Sequence, residues 1–507
     1  MEAARYCEPC GGEIGWGLIW ADIAAEVPAA TIAAAEWTAE RRVKEADRCA
    51  DVIASGADIL RAAPETAARA EVTPGQVREA IVTGIGILAC RPGGVGFMGT
   101  HWHSGGRCAD CPGPGTLPLF DLPGPAAAPG VVFTPRALAD EVTAAALGVV
   151  TQAASMSLAD DIRVLRVVDP FCGSGAFLVS AARYLAAALA AAWDGRCQDE
   201  ISGLCTLYGT SDPLMAARAM VIGHCVHGVD LDPVSVELAG LALQLLAPEC
   251  GTDHLLEVDD DDYAWHVITK GASTDVTRHA RLVRPAGPPT AKVRGLRAGD
   301  ALVGRVRGGP LRARPPVPAP VHWPEAFPEV FDYRGGFDAV IGNPPFLGGY
   351  SVISTLGRDY REHLVTAIAA GRRTTVNLAV YCWLRMHQLA GNRGVVGIVG
   401  PDGLLHGRDA QLAGALLEHY GWRPYRVLPD LRWPARTAAV RVCMTWTSQW
   451  AGACPPPELR NLPERPAPAH LWRLGRTIST PDEPVDVYEP AQDAGNGPRP
   501  LIFRSPS

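Results

Sequence analysis

The sequence predicts an α/β fold built on an open, mostly parallel sheet. Three apolar runs that end in polar residues are typical of buried parallel strands: Val164–Val168, Val226–Val229 and Phe337–Gly342. Helical patterns follow the first two runs, from Leu178 to about Trp193 and from Val234 to Leu246. Strands that alternate with helices form a parallel sheet, and open sheets of this kind bind ligands where the strands end. We therefore expect a functional site at the ends of these runs.

A glycine-rich loop, Asp169-Pro170-Phe171-Cys172-Gly173-Ser174-Gly175, follows the first strand. Gly173 and Gly175 allow a tight turn into the next helix and a close approach of the backbone to a ligand. The loop has neither the full Gly-x-Gly-x-x-Gly spacing of dinucleotide sites nor the Lys-Ser/Thr of a P-loop. A nucleoside with a small charged tail therefore fits it better than a pyrophosphate. We interpret Cys172 as a small buried residue and not as a nucleophile.

Two acids, Asp230 and Asp232, follow the second strand. An acid at this position commonly binds ribose hydroxyls, whereas aspartate also caps helices. We expect Asp232 to be the helix cap and Asp230 to be the ligand-binding residue.

The third strand ends at Asn343-Pro344-Pro345-Phe346. The side-chain oxygen of Asn343 and the carbonyl of Pro344 can accept hydrogen bonds from a planar amino group, and Phe346 can stack on the ring that carries it. Proline stiffens the loop because it fixes φ. An ordinary turn is the alternative, since Asn-Pro and Pro-Pro both mark turns.

Taken together and in order, these motifs resemble γ-class S-adenosylmethionine-dependent DNA adenine N6-methyltransferases. Phe133-Thr134-Pro135 resembles motif X, the glycine loop motif I, Asp230 motif II, Gly299-Asp300-Ala301-Leu302 motif III and Asn343 to Phe346 motif IV. The segment from Leu347 to Pro434 is similar to methylase domains of type II restriction enzymes that join nuclease and methylase in one chain. The resemblance covers roughly residues 130–450. It implies a Rossmann-like class I methyltransferase fold with a mostly parallel seven-stranded sheet. Outside it, residues 13–90 are Ala-rich with helical spacing, which predicts an additional N-terminal helical region.

The resemblance also implies the cofactor and its binding residues. The cofactor is S-adenosyl-L-methionine: Asp169 lies near its methionine amino group, Asp230 holds the ribose and Asp300 accepts from the adenine amino group. The two loop glycines let the backbone approach, and the residues of motif X close over the methionine end. The implied cofactor-binding residues are Phe133, Thr134, Pro135, Asp169, Pro170, Gly173, Gly175, Asp230 and Asp300.

Catalysis is implied to rest on Asn343, Pro344, Pro345 and Phe346. An adenine flipped out of double-stranded DNA stacks on Phe346, and its N6 attacks the methyl group directly, without a catalytic metal. The alternatives are an RNA or protein-glutamine N-methyltransferase, or a truncated non-catalytic DNA-binding subunit. A separate specificity or nuclease subunit is a further expected partner. Residues 1–130 contain no Pro-Asp…Asp/Glu-x-Lys nuclease pattern, so we expect methylation without cleavage in a restriction-modification or phage-defence system.

Composition and charge set the outer limits. The chain has 507 residues, of which 48% are hydrophobic and 20% charged, as expected for a globular protein of two or more domains. Fourteen cysteines without a secretion signal predict a cytoplasmic protein with reduced thiols. The apolar stretch Ala181–Ala192 is expected to be too short and amphipathic to span a membrane, so no membrane partner is predicted.

A net charge of −8 does not favour nucleic-acid binding, but the arginines are clustered. One basic segment runs from Arg278 to Arg314, and a solvated loop explains it equally well. A second set follows motif IV, and we favour it as the DNA-binding face. This set is Arg372, Arg373, Arg393, Arg408, Arg423, Arg426, Arg432 and Arg436.

The predicted organisation is an N-terminal helical region (1–90), a Gly/Pro-rich linker (91–130), the methyltransferase domain (131–450) and a Pro-rich tail or truncated recognition region (451–507).

Two Cys-x-x-Cys pairs have three interpretations. The first pair is Cys7 and Cys10, and the second pair is Cys108 and Cys111. In the first interpretation the four thiolates form a structural zinc site, since two such pairs can supply a tetrahedral set of ligands. A second possibility is that His101 and His103 partner the second pair. Alternatively, all four are unligated thiols, since the pairs are far apart in sequence.

Overall fold

The computed structural model describes residues 17–56, 72, 74–90, 103–104, 118–119, 134–153, 162–193, 198–247, 293–306, 320–433 and 441–450. The first helices are α1 (Gly17–Ala35), α2 (Ala39–Gly56), α3 (Pro74–Ala89), α4 (Arg136–Ala153), α5 (Ala176–Trp193), α6 (Gln198–Leu207), α7 (Pro213–His224) and α8 (Pro233–Leu245). The later helices are α9 (Trp323–Ala326), α10 (Pro328–Arg334), α11 (Gly349–Leu356), α12 (Arg358–Ala367), α13 (Leu378–Leu389) and α14 (Gly407–His419), with a 3₁₀ turn at Asp402–Leu405. The strands are β1 (His103–Ser104), β2 (Pro118–Leu119), β3 (Val167–Asp169), β4 (Val226–Asp230), β5 (Leu296–Ala298), β6 (Phe337–Gly342), β7 (Ala390–Pro401), β8 (Arg423–Arg432) and β9 (Arg441–Ser448).

Seven strands form one sheet in the order β5-β4-β3-β6-β7-β9-β8. Strand β9 is antiparallel to both of its neighbours, and the other neighbouring pairs are parallel. The prediction of a mostly parallel seven-stranded α/β sheet is therefore confirmed. Strand β3 lies between β4 and β6, so the chain builds outward from β3 in both directions. This switch point places the carboxyl ends of β3, β4 and β6 side by side, where open sheets bind ligands.

Alternate residues of the central strands enter two different hydrophobic cores, because neighbouring side chains of a strand point to opposite faces. Val167 and Ile341 pack in the core that also takes in α2, α5 and α8. Val168 and Val340 pack in the other core, with α12, α13 and α14. Helices thus cover both faces of the sheet, which explains why its strands read as continuous apolar runs.

The first strand begins later than the sequence predicted. Val164 is 38% exposed, and the amide of Leu165 donates to the carbonyl of Ile162 at 3.2 Å, so these residues form a turn. Extended pairing starts only at Val167, opposite Val226 of β4. The apolar run holds a turn as well as a strand, and periodicity alone does not separate the two.

Helix α5 is long and apolar enough to cross a membrane by length and composition, so the expectation of a stretch too short for this was wrong. More than half of it is buried inside the protein. Leu178, Leu185 and Leu189 have no exposed surface and pack in the first core. The helix is apolar because it lies within a core.

Helix α2 packs against the sheet domain through one face. Ala46, Cys49, Ala50 and Ile53 recur at helical spacing and are fully buried in the same core as α5 and α8. The bounds assigned to the N-terminal region, the linker and the tail stay predictions, as residues 91–102 and 451–507 lie outside the described residues.

Charged contacts hold the same helix in place. Asp47 accepts from Arg218 at 3.0 Å, and Asp51 pairs with Arg136 at 2.6 Å and with Arg183. Arginines on three helices that pack around the sheet, α4, α5 and α7, therefore form ion pairs with α2.

Candidate active site

The glycine loop follows β3 and lies against β4. Gly173 and Gly175 have φ angles of 51° and 98°, which other residues rarely adopt. A Cβ atom on Gly175 would lie 3.0 Å from that of Ala239 on α8. The amide of Cys172 donates to the carbonyl of Val229 at 2.9 Å, and the Cys172 side chain is buried, as predicted. The loop is therefore fixed between two strands and a helix.

Asp230 joins the glycine loop to the end of β4. Its carboxylate accepts from the amide of Gly173 at 2.8 Å and from the amide of Asp232 at 2.9 Å. Asp232 in turn accepts from the amide of Ser235 at 3.1 Å, so its prediction as the cap of α8 is confirmed. Asp230 is partly exposed at the edge of the sheet.

Asp169 is fully buried where β3 and β6 end. Its Oδ1 atom accepts from the amide of Phe171 at 3.0 Å, whereas no described group donates to Oδ2. Burial raises the pKa of this carboxyl well above its usual value, and the charge of Asp230 raises it further, against the Phe171 hydrogen bond. A buried acceptor that lacks a donor is costly, so the site suits a ligand with a positively charged donor group.

The two halves of the site meet at Gly342, the last residue of β6. A Cβ atom at this position would lie only 2.5 Å from Oδ1 of Asp169. The absence of a side chain therefore lets the β6 backbone pass directly over the buried carboxylate. As a result, Asn343 starts its loop right beside the glycine loop.

The tetrapeptide from Asn343 to Phe346 leaves the sheet at this edge. The Asn343 Nδ2 atom donates to Oγ1 of Thr134 at 3.0 Å. Thr134 and Pro135 lead into α4, so the structure brings the start of this helix to the end of β6, 209 positions away. Pro344 is buried, while Phe346 is half-buried and packs against both cores. Phe133 lies outside the described residues.

A residue without a predicted role, Asn377, supports the loop from behind. Its Oδ1 atom accepts from the amide of Leu347 at 3.2 Å and from that of Ala379 at 3.0 Å. The amide of Leu378 also donates to the carbonyl of Leu347 at 2.8 Å. Asn377 is thus the N-cap of α13 and also binds the residue that follows the tetrapeptide. An asparagine in front of an apolar helix is the sequence signal for the first role only.

Asp300 is 6% exposed and has three donors. It accepts from the amides of Leu302 at 2.8 Å and Val303 at 3.1 Å, and from the hydroxyl of Tyr360 at 2.9 Å. Burial raises its pKa, although these hydrogen bonds act in the opposite direction. The Gly299 amide donates to the Asp230 carbonyl at 2.8 Å, so the residue before Asp300 lies directly beside Asp230. A ligand amino group would share the Tyr360-bound oxygen or replace that hydroxyl.

Ser174, which lies between the two loop glycines, is a further residue without a predicted role. Its buried hydroxyl donates to the carbonyl of Ala54 at 2.7 Å, in the last turn of α2. The N-terminal helices therefore hold the glycine loop directly. No local pattern signals a contact between residues 120 positions apart.

We expect Ser174→Ala to weaken S-adenosylmethionine binding about 3- to 10-fold, because losing one hydrogen bond of about 1 kcal/mol loosens the loop. Calorimetric titration measures the affinity, and thermal unfolding measures stability. Ser180→Ala is the matched control, because Ser180 is also buried, lies on α5 and donates to Asp140 at 2.5 Å. Equal loss of affinity in both variants would mean that Ser174 acts only through overall stability.

The second arginine set does not form one face, so part of its assignment to DNA was wrong. Arg426 is fully buried, pairs with Glu141 at 2.7 Å and stacks on Trp446 with its guanidinium 4.8 Å from the ring. Arg393 and Arg423 lie at the amino ends of β7 and β8, at the edge opposite the site. Those near the carboxyl ends are Arg372, Arg373, Arg408 and Arg432, and Arg436 lies outside the described residues.

The structure does not place the predicted zinc ligands. Cys7, Cys10, Cys108 and Cys111 all lie outside the described residues. Among the residues that are described, no group of three or more histidines, cysteines or acids is placed to hold a metal ion. The zinc interpretation of Cys7 and Cys10 with Cys108 and Cys111 therefore stays a prediction.

The sheet order, the single antiparallel strand β9 and the glycine loop after β3 define a Rossmann-like class I S-adenosylmethionine-dependent methyltransferase fold. Residues 224–422 match the family described as Eco57I restriction-modification methylase, which confirms the resemblance seen in the sequence. The matched segment contains Asp230, Asp300 and the tetrapeptide. It does not include the glycine loop or Thr134.

Several solved structures are similar to this chain at low sequence identity. The Type IIL restriction-modification enzyme MmeI in complex with DNA is 13% identical, with 61% of this chain and 34% of that one covered and a TM-score of 0.36. The M protein of the Type I restriction enzyme EcoKI is 16% identical, with 64% and 45% covered and a TM-score of 0.32. A nuclease-deletion mutant of the Type ISP enzyme LlaGI is 14% identical, with 64% and 24% covered and a TM-score of 0.37. The chain thus spans less than half the length of each of these proteins. None of the curated proteins matches it in sequence.

Proposed function

We propose that this protein transfers a methyl group from S-adenosyl-L-methionine to N6 of adenine in double-stranded DNA. One observation carries the proposal: the buried Asp169 carboxyl and the Asn343 loop meet across Gly342, where a Cβ atom would lie 2.5 Å from Oδ1 of Asp169. The ammonium group of the cofactor's methionine, bound at Asp169, and the amino group of the target adenine, bound at Asn343, then lie close to each other. Methyl transfer between two bound molecules needs this proximity.

The residues at the ends of β3 and β4 fit the proposed cofactor. Asp169 offers a buried carboxylate oxygen to the methionine ammonium, and no described group donates to that oxygen. Gly173 and Gly175 carry no side chains, so the backbone can approach the cofactor at these two positions, and in this proposal Asp230 accepts from the ribose hydroxyls. In the same proposal Asp300 accepts from the adenine amino group, and Thr134 and Pro135 close over the methionine end. When bound, the cofactor supplies an electrophilic methyl group on a sulfonium.

Asn343 and Pro344 act on the nucleophile. The hydrogen bond from Nδ2 to Thr134 fixes the orientation of the Asn343 amide and turns its oxygen away from Thr134. Acceptance of the methyl group would place positive charge on N6. The Asn343 oxygen and the Pro344 carbonyl would stabilise this charge as acceptors, Pro345 would keep the loop stiff, and the extra proton would then pass from N6 to solvent water. Phe346 stacks on the flipped base.

DNA is favoured as the substrate by the restriction-modification methylase family match and by the arginines near the carboxyl edge. The same proposal includes a separate specificity or nuclease subunit, a role in restriction-modification or phage defence, and a cytoplasmic location.

The test is incubation with methyl-labelled S-adenosylmethionine and unmodified DNA, RNA or protein extract, followed by hydrolysis and identification of the labelled group. Label in N6-methyladenine of DNA supports the proposal. Label in RNA, in glutamine or in cytosine overturns it, as does cofactor binding without transfer to any of the three polymers.

Asp169 predicts how the binding of S-adenosylmethionine depends on pH. In the free protein the pKa of Asp169 is raised by burial, whereas the ammonium group requires the ionised carboxylate. Binding therefore releases a proton below the raised pKa, and affinity rises with pH, by at most about tenfold per unit, until Asp169 is ionised in the free protein. The stability of the free protein has the opposite trend: it falls as pH rises from the pKa of the unfolded carboxyl, about 4, to the raised pKa of the folded one, because the unfolded carboxyl ionises first.

Calorimetric titration between about pH 5 and 6.7 checks this, because an α-amino group with a pKa of about 7.7 is still about 90% protonated at the upper limit. Asp169→Asn should bind more weakly, with an affinity that varies little with pH, and should be the more stable free protein at neutral pH. An equal dependence on pH in both proteins would show that another group is responsible.

A further inference from the structure

Helix α11 begins three residues after Phe346 and is held by few buried contacts. Val352 is its only residue that is buried among those described. Tyr350 is 84% exposed and Ile353 is 42% exposed. These two lie three positions apart and so occupy one face of the helix. Large side chains exposed together beside a site indicate a binding surface.

The position of this face is fixed relative to the tetrapeptide. A Cβ atom on Gly349 would lie 2.6 Å from the carbonyl oxygen of Val376, so the start of α11 is packed tightly against the loop that braces the tetrapeptide. Tyr350 is four residues from Phe346, and its Cα lies within about 14 Å of that of Phe346. If a base flipped out of a DNA duplex stacks on Phe346, Tyr350 is close enough to contact that duplex.

The charge around α11 suits a polyanion. Residues 349–377 contain four arginines and two acids, a net charge of +2 (4 − 2), in a chain with a net charge of −8. Arg358, Arg372 and Arg373 are exposed. One of the two acids, Glu362, forms ion pairs with Arg361 at 3.2 Å and with Arg373 at 2.7 Å.

Hydroxyl groups complete this surface, since Ser351, Ser354 and Thr355 are exposed on α11 and can donate to phosphate oxygens. Two apolar side chains are too few for a stable protein–protein interface, which buries about 800 Å² on each partner. A single aromatic ring flanked by arginines and hydroxyls is instead typical of a residue that inserts between bases while its neighbours contact the backbone.

We propose that the exposed face of α11, with Arg358, Arg372 and Arg373 beside it, binds duplex DNA, and that Tyr350 fills the gap left in the base stack by the flipped adenine. This inference rests on the proposed function and adds to it the residue that stabilises the flipped state. Flipping leaves an unstacked space, and a planar ring inserted there recovers part of the lost stacking. Tyr350 is thus a positioning residue outside the cofactor site.

The main experiment compares variants in the transfer of label from S-adenosylmethionine to unmodified plasmid DNA. Tyr350→Ala should lower the turnover rate about 10- to 100-fold, and Tyr350→Trp should stay within about threefold of the unaltered protein, because it keeps a stacking ring. Both variants should bind S-adenosylmethionine as the unaltered protein does. Ile32→Ala is the control, since Ile32 is 64% exposed on α1. DNA methylation by Tyr350→Ala at the unaltered rate would overturn the inference while leaving the proposed function intact.

A second experiment works even where no transfer is seen. The photo-crosslinker p-benzoylphenylalanine is placed at position 350 or at position 32, and the full chain is irradiated with a mixed-sequence 40-base-pair duplex. A crosslink from position 350 only supports the inference. A crosslink from neither or equally from both overturns it, and a crosslink from position 350 to a co-purifying protein, with none to the duplex, assigns the face to a protein partner instead.

Discussion

Asn343→Ala is expected to lower the rate of methyl transfer to DNA by at least about 10²- to 10³-fold, as does loss of one preorganised hydrogen-bonding group in other active sites. The Asn343 amide is held by Thr134 at 3.0 Å, so its oxygen is already oriented before a base arrives. Alanine removes the acceptor that stabilises charge on the attacking nitrogen. Single-turnover transfer of label measures the effect, because it separates the methyl-transfer step from product release.

Cofactor binding should change little in this variant, within about threefold, since Asn343 contacts the target in the proposed mechanism. Asn392→Ala is the matched control: Asn392 is exposed near the amino end of β7, at the opposite edge of the sheet. Normal transfer by Asn343→Ala would remove the tetrapeptide from catalysis. Loss of cofactor affinity together with transfer would assign Asn343 to the cofactor site.

Asp230→Asn is expected to weaken S-adenosylmethionine binding about 10- to 100-fold, the value of one hydrogen bond to a charged group. The Asp230 carboxylate accepts from the amides of Gly173 and Asp232, and in the proposal it also accepts from the ribose. Asparagine keeps one oxygen acceptor and loses the other together with the charge. Calorimetric titration measures the affinity directly.

Asp232→Ala is the control, because Asp232 lies two residues away and caps α8. It should cost about 1 kcal/mol of stability and leave the affinity within about threefold. Comparable weakening by both variants would mean that the order of the turn, and not the Asp230 carboxylate, determines binding.

The sequence located β4 and β6 almost to the residue, because buried parallel strands are short apolar runs that end in polar residues. It also indicated the glycine loop and the cap at Asp232, since both depend on local backbone geometry. Arg426 and the beginning of β3 were predicted less well. The sequence does not show whether an arginine is exposed or, like Arg426, buried and paired with Glu141. It also does not distinguish an apolar turn from an apolar strand.

The site, like the fold, was predicted from the sequence only in part. The sequence by itself determined a mostly parallel α/β sheet with a ligand-binding edge, and the order of motifs that resembles a methyltransferase. These features depend on residue type and on spacing along the chain. Only the tertiary structure decided that Gly342 passes over Asp169, that Thr134 meets Asn343, that Tyr360 holds Asp300 and that Ser174 rests on α2. Each of these contacts joins residues far apart in sequence, and they exist because the sheet brings the ends of its strands to one edge and packs the helices around them.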